Sequence, residues 1–347
     1  AADWRKGYFL ALVNAQTMRA NGPVETVFFG GGTPSLMPPE FIADLLTDID
    51  RRWGLAADAE ISLEANPVSA PQGNLRALKS AGITRLSLGV QALDALALKF
   101  LGRTHSLEQA EAAFVAARGI FDRVSLDLIY ARPGQSLGGW AREMERALAL
   151  APSHMSLYQL TIERDTPFFK RHAAGKFQMP DEALSADMYE LTQDMCAAAG
   201  LPAYEVSNHA REGHACRHNM ASWRGGDYLG IGPGAHGRVS TGQERLATHA
   251  LSKPAAWLES LVGGGDGFLE KRRLAPLDIQ AETVLLGLRL VEGIPMSRLE
   301  AEGVALDEVR IAGLRAAGLI SESRHKLAVT QSGRLLLDRI TDAVLAD

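Results

Sequence analysis

Val27-Phe28-Phe29-Gly30-Gly31-Gly32-Thr33-Pro34-Ser35 joins a β-branched and aromatic run to three consecutive glycines and a Thr-Pro stop. The run has the side-chain chemistry of a strand. The glycines leave a backbone end with no side chain to keep a ligand away. Thr33-Pro34 stiffens the exit and prevents the strand from continuing. A bare strand end is where a parallel α/β barrel or an open sheet places its ligand. A lone Gly-Gly-Gly is equally a flexible turn, so the flanking pattern has to decide.

Upstream, Tyr8, Leu12, Ala15 and Met18 recur at helical spacing, predicting a helix over 4–20 that stops at Asn21-Gly22-Pro23. Downstream, Pro38-Pro39-Glu40 opens a helix with Phe41, Leu45, Leu46 and Ile49 on one face. Strands are then expected at 60–64, 84–90, 124–130 and 154–160, separated by helices at 72–81, 94–101, 106–118 and 137–150. Strand–helix alternation of this kind builds a parallel sheet from right-handed crossovers. Five strands precede residue 161, yet the chain opens on a helix. A parallel barrel unit opens on a strand, so one strand and its loop are expected to lie ahead of Ala1. Glu64, Gln91, Asp127 and Gln159 sit inside or just after four of the strands. Any one of them reads as a hydrogen-bonded core polar; four at equivalent positions point to a ligand end.

The 347 residues are 46% hydrophobic and 22% charged, the profile of an ordinary soluble globular protein, and the length suggests two domains. With a net charge of −5 and no dense Lys/Arg stripe, nucleic-acid binding is not indicated. No apolar run reaches the roughly 18 residues of a transmembrane helix, and no signal peptide opens the chain. The first residue is Ala, not Met. Cys196 and Cys216 alone make no disulfide framework, and the compartment reads as cytoplasmic.

A helix is expected over 181–199, followed by a Gly- and His-rich stretch at 203–238 that includes His209, His214, Cys216 and His218. A loop of that length inside a compact domain is usually functional. The spacing of those four residues fits no standard structural zinc site. Gly263-Gly264-Gly265-Asp266-Gly267 reads as linker. Helices near 278–291, 296–301 and 307–317, a hairpin through Lys326-Leu327-Ala328-Val329-Thr330 and a closing helix at 331–344 form a winged-helix-like pattern. The helix at 307–317 carries Asp307 and Glu308 beside Arg310 and Arg315, which favours structural or partner docking over DNA binding. The expected organisation is a barrel with its extension over 1–240, a linker over 241–268 and a winged-helix-like domain over 269–347.

Six segments occur in a recognisable order: Phe28-Phe29-Gly30-Gly31-Gly32-Thr33-Pro34-Ser35-Leu36, Glu64-Ala65-Asn66-Pro67, Ser87-Leu88-Gly89-Val90-Gln91, Leu101-Gly102-Arg103-Thr104-His105, Asp127-Leu128-Ile129-Tyr130 and Ser156-Leu157-Tyr158-Gln159-Leu160-Thr161-Ile162-Glu163. Together they resemble the oxygen-independent coproporphyrinogen III oxidase-like radical S-adenosylmethionine (SAM) proteins, and within that group the heme chaperone (HemW) branch. The resemblance covers essentially the whole chain. It implies an α/β fold, a partial parallel (β/α) barrel with a C-terminal winged-helix-like domain. It implies that backbone groups of Gly31, Gly32 and Thr33 hold the amino group of the SAM methionine moiety, and that Glu64, Gln91, Arg103 and Asp127 line the SAM site. A guanidinium such as Arg103 suits the methionine carboxylate; Glu64 or Asp127 suits ribose hydroxyls or an ammonium.

Two departures matter. The family carries CxxxCxxC, which holds a 4Fe-4S cluster with one iron position open to SAM, shortly before the residues where this chain starts. Cys196 and Cys216 lie 20 residues apart, far downstream, and cannot replace it. The cluster cysteines are therefore expected upstream of Ala1, and no metal ligands are expected within the chain. The chaperone branch also has HNxxYW, implicated in heme binding. Here His218, Asn219 and Trp223 are kept, with Ser222 in the Tyr place. An imidazole is a sound axial heme ligand and an aromatic ring can flank the macrocycle; from spacing alone, His218 equally hydrogen-bonds the Gly-rich loop.

The resemblance leaves two functions open. One is a heme chaperone that binds SAM and a 4Fe-4S cluster and passes heme to acceptor hemoproteins, among them membrane-associated respiratory enzymes, from the cytoplasm at the inner face of a membrane. The other is an oxygen-independent coproporphyrinogen III oxidase, in which a 5′-deoxyadenosyl radical starts oxidative decarboxylation of a propionate. A barrel enzyme without a cluster is a third, remoter reading.

Overall fold

A computed structural model describes residues 2–18, 22–69, 72–242 and 244–345. In chain order the elements are α1 (Ala2–Ala15), β1 (Val24–Phe29), α2 (Pro39–Trp53), β2 (Leu55–Ala65), α3 (Gln72–Ser80), β3 (Arg85–Gln91), α4 (Ala95–Phe100), α5 (Leu107–Arg118), β4 (Arg123–Tyr130), α6 (Leu137–Ala149), β5 (His154–Gln159), α7 (Pro167–Ala173) and α8 (Glu182–Ala198). They continue as β6 (Asn208–Ala210), α9 (Arg217–Trp223), β7 (His236–Thr241), β8 (Glu244–Ala250), α10 (Pro254–Val262), β9 (Phe268–Arg273), α11 (Pro276–Gly287), β10 (Ile294–Pro295), α12 (Met296–Ala301), α13 (Glu308–Ala316), β11 (Ile320–Glu322), β12 (Lys326–Val329) and α14 (Leu337–Val344). The helix expected over 4–20 ends at Ala15, and positions 19–21 lie outside the described residues.

The chain divides into two compact units, one of Phe28–Pro39 and Ile61–Ala215, the other of Ala1–Val27, Glu40–Glu60 and Cys216–Asp347. The strands run in the order β1-β2-β3-β4-β5-β6. Pairing is parallel from β2 through β5, and the short β6 closes the edge antiparallel to β5. Strand order that follows chain order lets every crossover helix fall on the same face of the sheet, which is the topology of a barrel and not of a doubly wound sheet.

Alternation along the strands explains why. Leu63, Leu86, Leu88, Leu126, Leu128, Met155 and Leu157 are 0–2% exposed and occupy one face. The other face carries Ser62, Glu64, Ser87, Gly89, Gln91, Ser125, Asp127, His154 and Ser156, in rows that the register aligns: Glu64 with Ser87, Ser87 with Ser125, Ser125 with His154, and Gly89 with Asp127. The aliphatic face binds the helices through the hydrophobic effect. The opposite face is free to be polar. Capping sets where those helices begin. Asp94, Ser106, Ser136 and Asp181 each accept a backbone N–H at the start of α4, α5, α6 and α8, and Ser106 forms a capping box with Gln109.

In the other unit, α1 packs on α10, with Ala11, Ala250, Trp257 and Leu261 as its buried centre. Close approach requires Gly7, where an added Cβ would stand 2.6 Å from Leu258. Residues 241–268, expected as a linker, carry β8 and α10, and β7-β8-β9 form an antiparallel sheet. At the C-terminus α11, α12 and α13 accompany the small sheet β10-β12-β11, the winged-helix-like arrangement expected from the pattern. No helix among the described residues is long and apolar enough to cross a membrane.

Candidate functional site

The C-terminal ends of the parallel strands are where the backbone departs from ordinary geometry. Gly31 and Gly32 follow β1 with φ of 81° and 65°. Gln91 ends β3 at φ 71°, and Ala131 follows β4 at φ 53°. Left-handed conformation is costly outside glycine and concentrates where a structure is built for binding. An added Cβ at Gly31 or Gly32 would meet nothing within 4 Å, so both present bare backbone to open space. At Gly30 the same Cβ would fall 2.8 Å from the Phe28 ring and 3.3 Å from Glu64, so that glycine serves packing instead.

Sequence-distant residues converge on this end. Glu64 accepts the Gly31 N–H at 3.0 Å, and Asn66 donates to the Thr33 hydroxyl at 3.3 Å. Gly89 leaves room for the Gln91 amide, whose nitrogen would lie 2.6 Å from a Cβ there. Asp127 accepts from the hydroxyls of Ser87 and Ser125, both at 2.6 Å. Behind it, the Ser125 hydroxyl is 2.8 Å from Nδ1 of His154, and Nε2 of His154 is 2.9 Å from the Tyr204 hydroxyl. With Ser125 donating to Asp127, Nδ1 of His154 must be the donor to Ser125 and Nε2 the acceptor from Tyr204. Burial holds His154 well below the ordinary histidine range, with Arg85 adding to the effect, so its neutral form fits that chain.

Electrostatically the site is short of positive charge. Burial pushes the Asp127 carboxyl up, against the opposing pull of Ser125, Ser87, Ser156 and Arg85. Burial also raises Glu64, and the Asp127 charge adds to it, while the Gly31 N–H opposes. Two carboxylates raised in this way favour a cationic ligand. Arg103 stands on the turn between α4 and α5, in a cleft with Leu98, Gly102 and His105. The neighbouring His105 ties that turn to β3, its Nε2 lying 3.0 Å from the Val90 carbonyl. Burial lowers the Arg103 pKa, its Nε is buried with no hydrogen-bond partner, and no carboxylate pairs with it among the described residues. An orphaned buried guanidinium nitrogen calls for an anionic partner. A molecule with a sulfonium and an ammonium beside a carboxylate meets both demands, so the residues fit SAM. Of the seven positions expected to line that site, Gly31, Thr33, Glu64, Gln91 and Asp127 are joined by direct contacts, shared neighbours or charge coupling; Gly32 follows Gly31 in the same turn, and Arg103 lies in the cleft at the α4–α5 turn. Gln159 is used elsewhere, donating to the Ser185 carbonyl at 3.0 Å. Asn66, Ser125, His154 and Tyr204 were not singled out from sequence; the polar residue at every second position of β4 and β5 was the available signal.

The iron–sulfur cluster is a different matter. Cys196 is fully buried on α8, and burial pushes its thiol up to about 12. Cys216 caps α9 and lies 3.6 Å from Glu60. Among the described residues no group of three His, Cys, Asp or Glu could hold a metal ion. These two cysteines do not fit a cluster.

His218, Asn219 and Trp223 lie on α9, in the other unit. Glu60, 3% exposed, accepts the Arg217 N–H at 2.8 Å, and Arg217 pairs with Asp58 at 3.1 Å. These contacts anchor the first turn of α9. His218 sets its Nδ1 3.4 Å from the Thr26 hydroxyl, and burial lowers its pKa, favouring the neutral imidazole. Asn219 is half-buried on the same helix. Ser222, in the place of a tyrosine, donates to the His218 carbonyl at 3.0 Å. The Trp223 ring lies under the Arg289 guanidinium at 4.4 Å, and its Nε1 is buried without a hydrogen-bond partner.

Strands that follow chain order, parallel from β2 to β5, with a glycine cradle at their C-terminal ends make a barrel-type ligand end. Residues 12–147 match the radical SAM superfamily, and residues 274–336 match the HemN C-terminal domain. The chain is 36% identical over 330 residues to the heme chaperone HemW of Escherichia coli, covering 93% of this chain and 85% of that protein. It is 41% identical over 291 residues to the bovine mitochondrial radical S-adenosyl methionine domain-containing protein 1, covering 82% of this chain. The chain spans 66% of that bovine protein's length. Among solved structures, the radical SAM enzyme coproporphyrinogen III oxidase (HemN) of Escherichia coli superposes with a TM-score of 0.80, at 22% identity, over 97% of this chain and 81% of that one. The chain belongs to the HemN-like radical SAM family, in its HemW branch. Membership implies SAM and a 4Fe-4S cluster as the family's cofactors.

Proposed function

We propose that the protein is a heme chaperone that binds heme and passes it to acceptor hemoproteins. The observation that carries this reading is sequence identity to HemW sustained over 93% of the chain, including the His218-Asn219-x-x-x-Trp223 remnant on an anchored helix. His218 serves as axial ligand: burial keeps its imidazole neutral, the form that coordinates iron. Glu60 positions it by holding the first turn of α9.

SAM would be held at the ends of β1 to β4. Gly31, Gly32 and Thr33 would hold its ammonium group, Glu64 and Asp127 would compensate its positive charges, Gln91 would close the side of β3, and Arg103 would take its carboxylate. When bound, SAM supplies a sulfonium that can be cleaved reductively. Serine donors hold Asp127 in place, and His154 and Tyr204 support them from behind. The acceptors are hemoproteins that include membrane-bound respiratory enzymes, met from the cytoplasm at the inner membrane face. Oxidative decarboxylation of coproporphyrinogen III is the alternative from sequence; at 22% identity the likeness to HemN speaks for the fold alone.

The test is a hemin titration followed by Soret absorption, with wild type beside His218→Ala. Saturable binding that weakens at least about tenfold in the folded variant supports the reading. Unchanged affinity in a folded variant removes His218 from the heme site.

A further inference from the structure

Twenty-two residues, 160–181, connect β5 to α8, where such a connection usually takes about 2–6. They leave the sheet at the C-terminal end of β5, the same end that carries the glycine cradle. The stretch was not read as structured from sequence, yet it contains α7, capped by Thr166 and opened by Pro167.

A cation stands over an aromatic trio here. The Arg171 guanidinium lies 5.4, 5.6 and 5.7 Å from the ring centres of Phe100, Phe168 and Phe177. The three rings pack edge to face, with centroids 5.3 to 6.2 Å apart. His172 is braced against Phe177 at 5.5 Å. Both Arg171 and His172 are exposed, and Phe169 beside them is 37% exposed. Between Thr166 and Met179 the chain has Lys170, Arg171, His172 and Lys176 and no acidic residue, in a protein of net charge −5. Among the described residues none of these cations pairs with a carboxylate.

An unpaired basic cluster with an aromatic base and a surface imidazole matches one chemistry closely: a planar aromatic macrocycle that carries two carboxylates and a metal. Aromatic rings stack on the macrocycle, a guanidinium takes a propionate in charge-assisted hydrogen bonds, and an imidazole reaches the iron. We infer that α7 is a porphyrin-binding arm, with Arg171 on a propionate, His172 as an axial ligand and the phenylalanine trio as its apolar floor. The inference deepens the heme-chaperone reading and rests on it. It is a porphyrin site additional to the one proposed at His218, which belongs to the other unit.

Hemin and iron-free protoporphyrin IX are titrated into the full chain, wild type beside Arg171→Gln, His172→Ala and His218→Ala, with absorption for hemin and fluorescence for protoporphyrin. Both arm side chains are exposed and their ring contacts are surface contacts, so each variant stays folded with a melting temperature within a few degrees of wild type. The expected result is that His172→Ala weakens hemin about tenfold and alters the imidazole-ligated spectrum while protoporphyrin IX binds as before. Arg171→Gln weakens both probes about tenfold. If the wild type binds hemin saturably and neither arm variant changes affinity or spectrum, the arm is refuted while the chaperone reading stands. If the wild type binds neither probe, the chaperone reading fails and takes the arm with it.

Discussion

Replacing Gly31 by alanine separates the cost of a strained backbone from the cost of a blocked cradle. Gly31 has φ 81°, and its added methyl would meet nothing in the protein within 4 Å. The stability penalty is therefore conformational alone, about 1–2 kcal/mol for an L-residue in the left-handed region. Gly213 offers a matched control in the same unit: φ is 75°, and its added methyl also meets nothing within 4 Å. Both variants should lose a similar 1–2 kcal/mol, or about 2–8 °C in Tm for a unit of this size. Only Gly31→Ala puts a methyl where a ligand would approach the backbone. Loss of one hydrogen bond to a charged group costs about 1.5–3 kcal/mol, roughly 10- to 150-fold in Kd. Calorimetric titration with SAM, beside thermal unfolding of each variant, measures both effects. Equal SAM affinity in Gly31→Ala and Gly213→Ala would refute the assignment of the glycines to a ligand cradle.

Two further substitutions test the polar interior and the scaffold. Because burial raises the Asp127 carboxyl, the fold favours its neutral form; that contribution to stability is fully present below the ordinary carboxylate range and is lost as pH rises through the raised value. D127N should therefore melt above wild type near pH 7, with the gap closing toward pH 4, and should bind SAM more weakly; a gap that widens on acidification would contradict the sign. Glu143, buried on α6, pairs with Arg132 and accepts the Leu93 N–H at 3.0 Å and the Gln135 amide at 3.1 Å. Glu143→Ala leaves the Arg132 charge buried and should cost about 3–5 kcal/mol in denaturant unfolding; a loss below about 1 kcal/mol would show that the pair is not what holds the β4–α6 turn.

Most of the barrel was legible because its strands announce themselves. Arg85–Gln91 and Arg123–Tyr130 alternate apolar and polar residues between helices with Ser and Asp caps, so period and punctuation agree. Elements between 203 and 273 were not legible for equally local reasons. β6 has three residues, too few for a period. β9 is Phe268-Leu269-Glu270-Lys271-Arg272-Arg273, mostly charged and exposed, and is a strand because β8 supplies its hydrogen bonds. Ahead of that stretch, α7 (Pro167–Ala173) has seven residues and no buried face, so no amphipathic stripe marks it.

The candidate site divides along the same line. By itself the sequence determined which residue types stand in or near the strand ends: the three glycines after β1, a carboxylate or amide in the C-terminal half of β2, β3 and β4, and an imidazole in a Gly-rich stretch. Only the tertiary structure decided their partners. A two-residue period assigns a side chain to a face of the sheet but not to a neighbour across it. The register that puts Ser87 and Ser125 side by side, with Asp127 within reach of both, depends on how the aliphatic face packs and how far each crossover carries the chain. Contacts such as Gly31 with Glu64 and His154 with Tyr204 join residues 33 and 50 positions apart, and no local rule reaches that far.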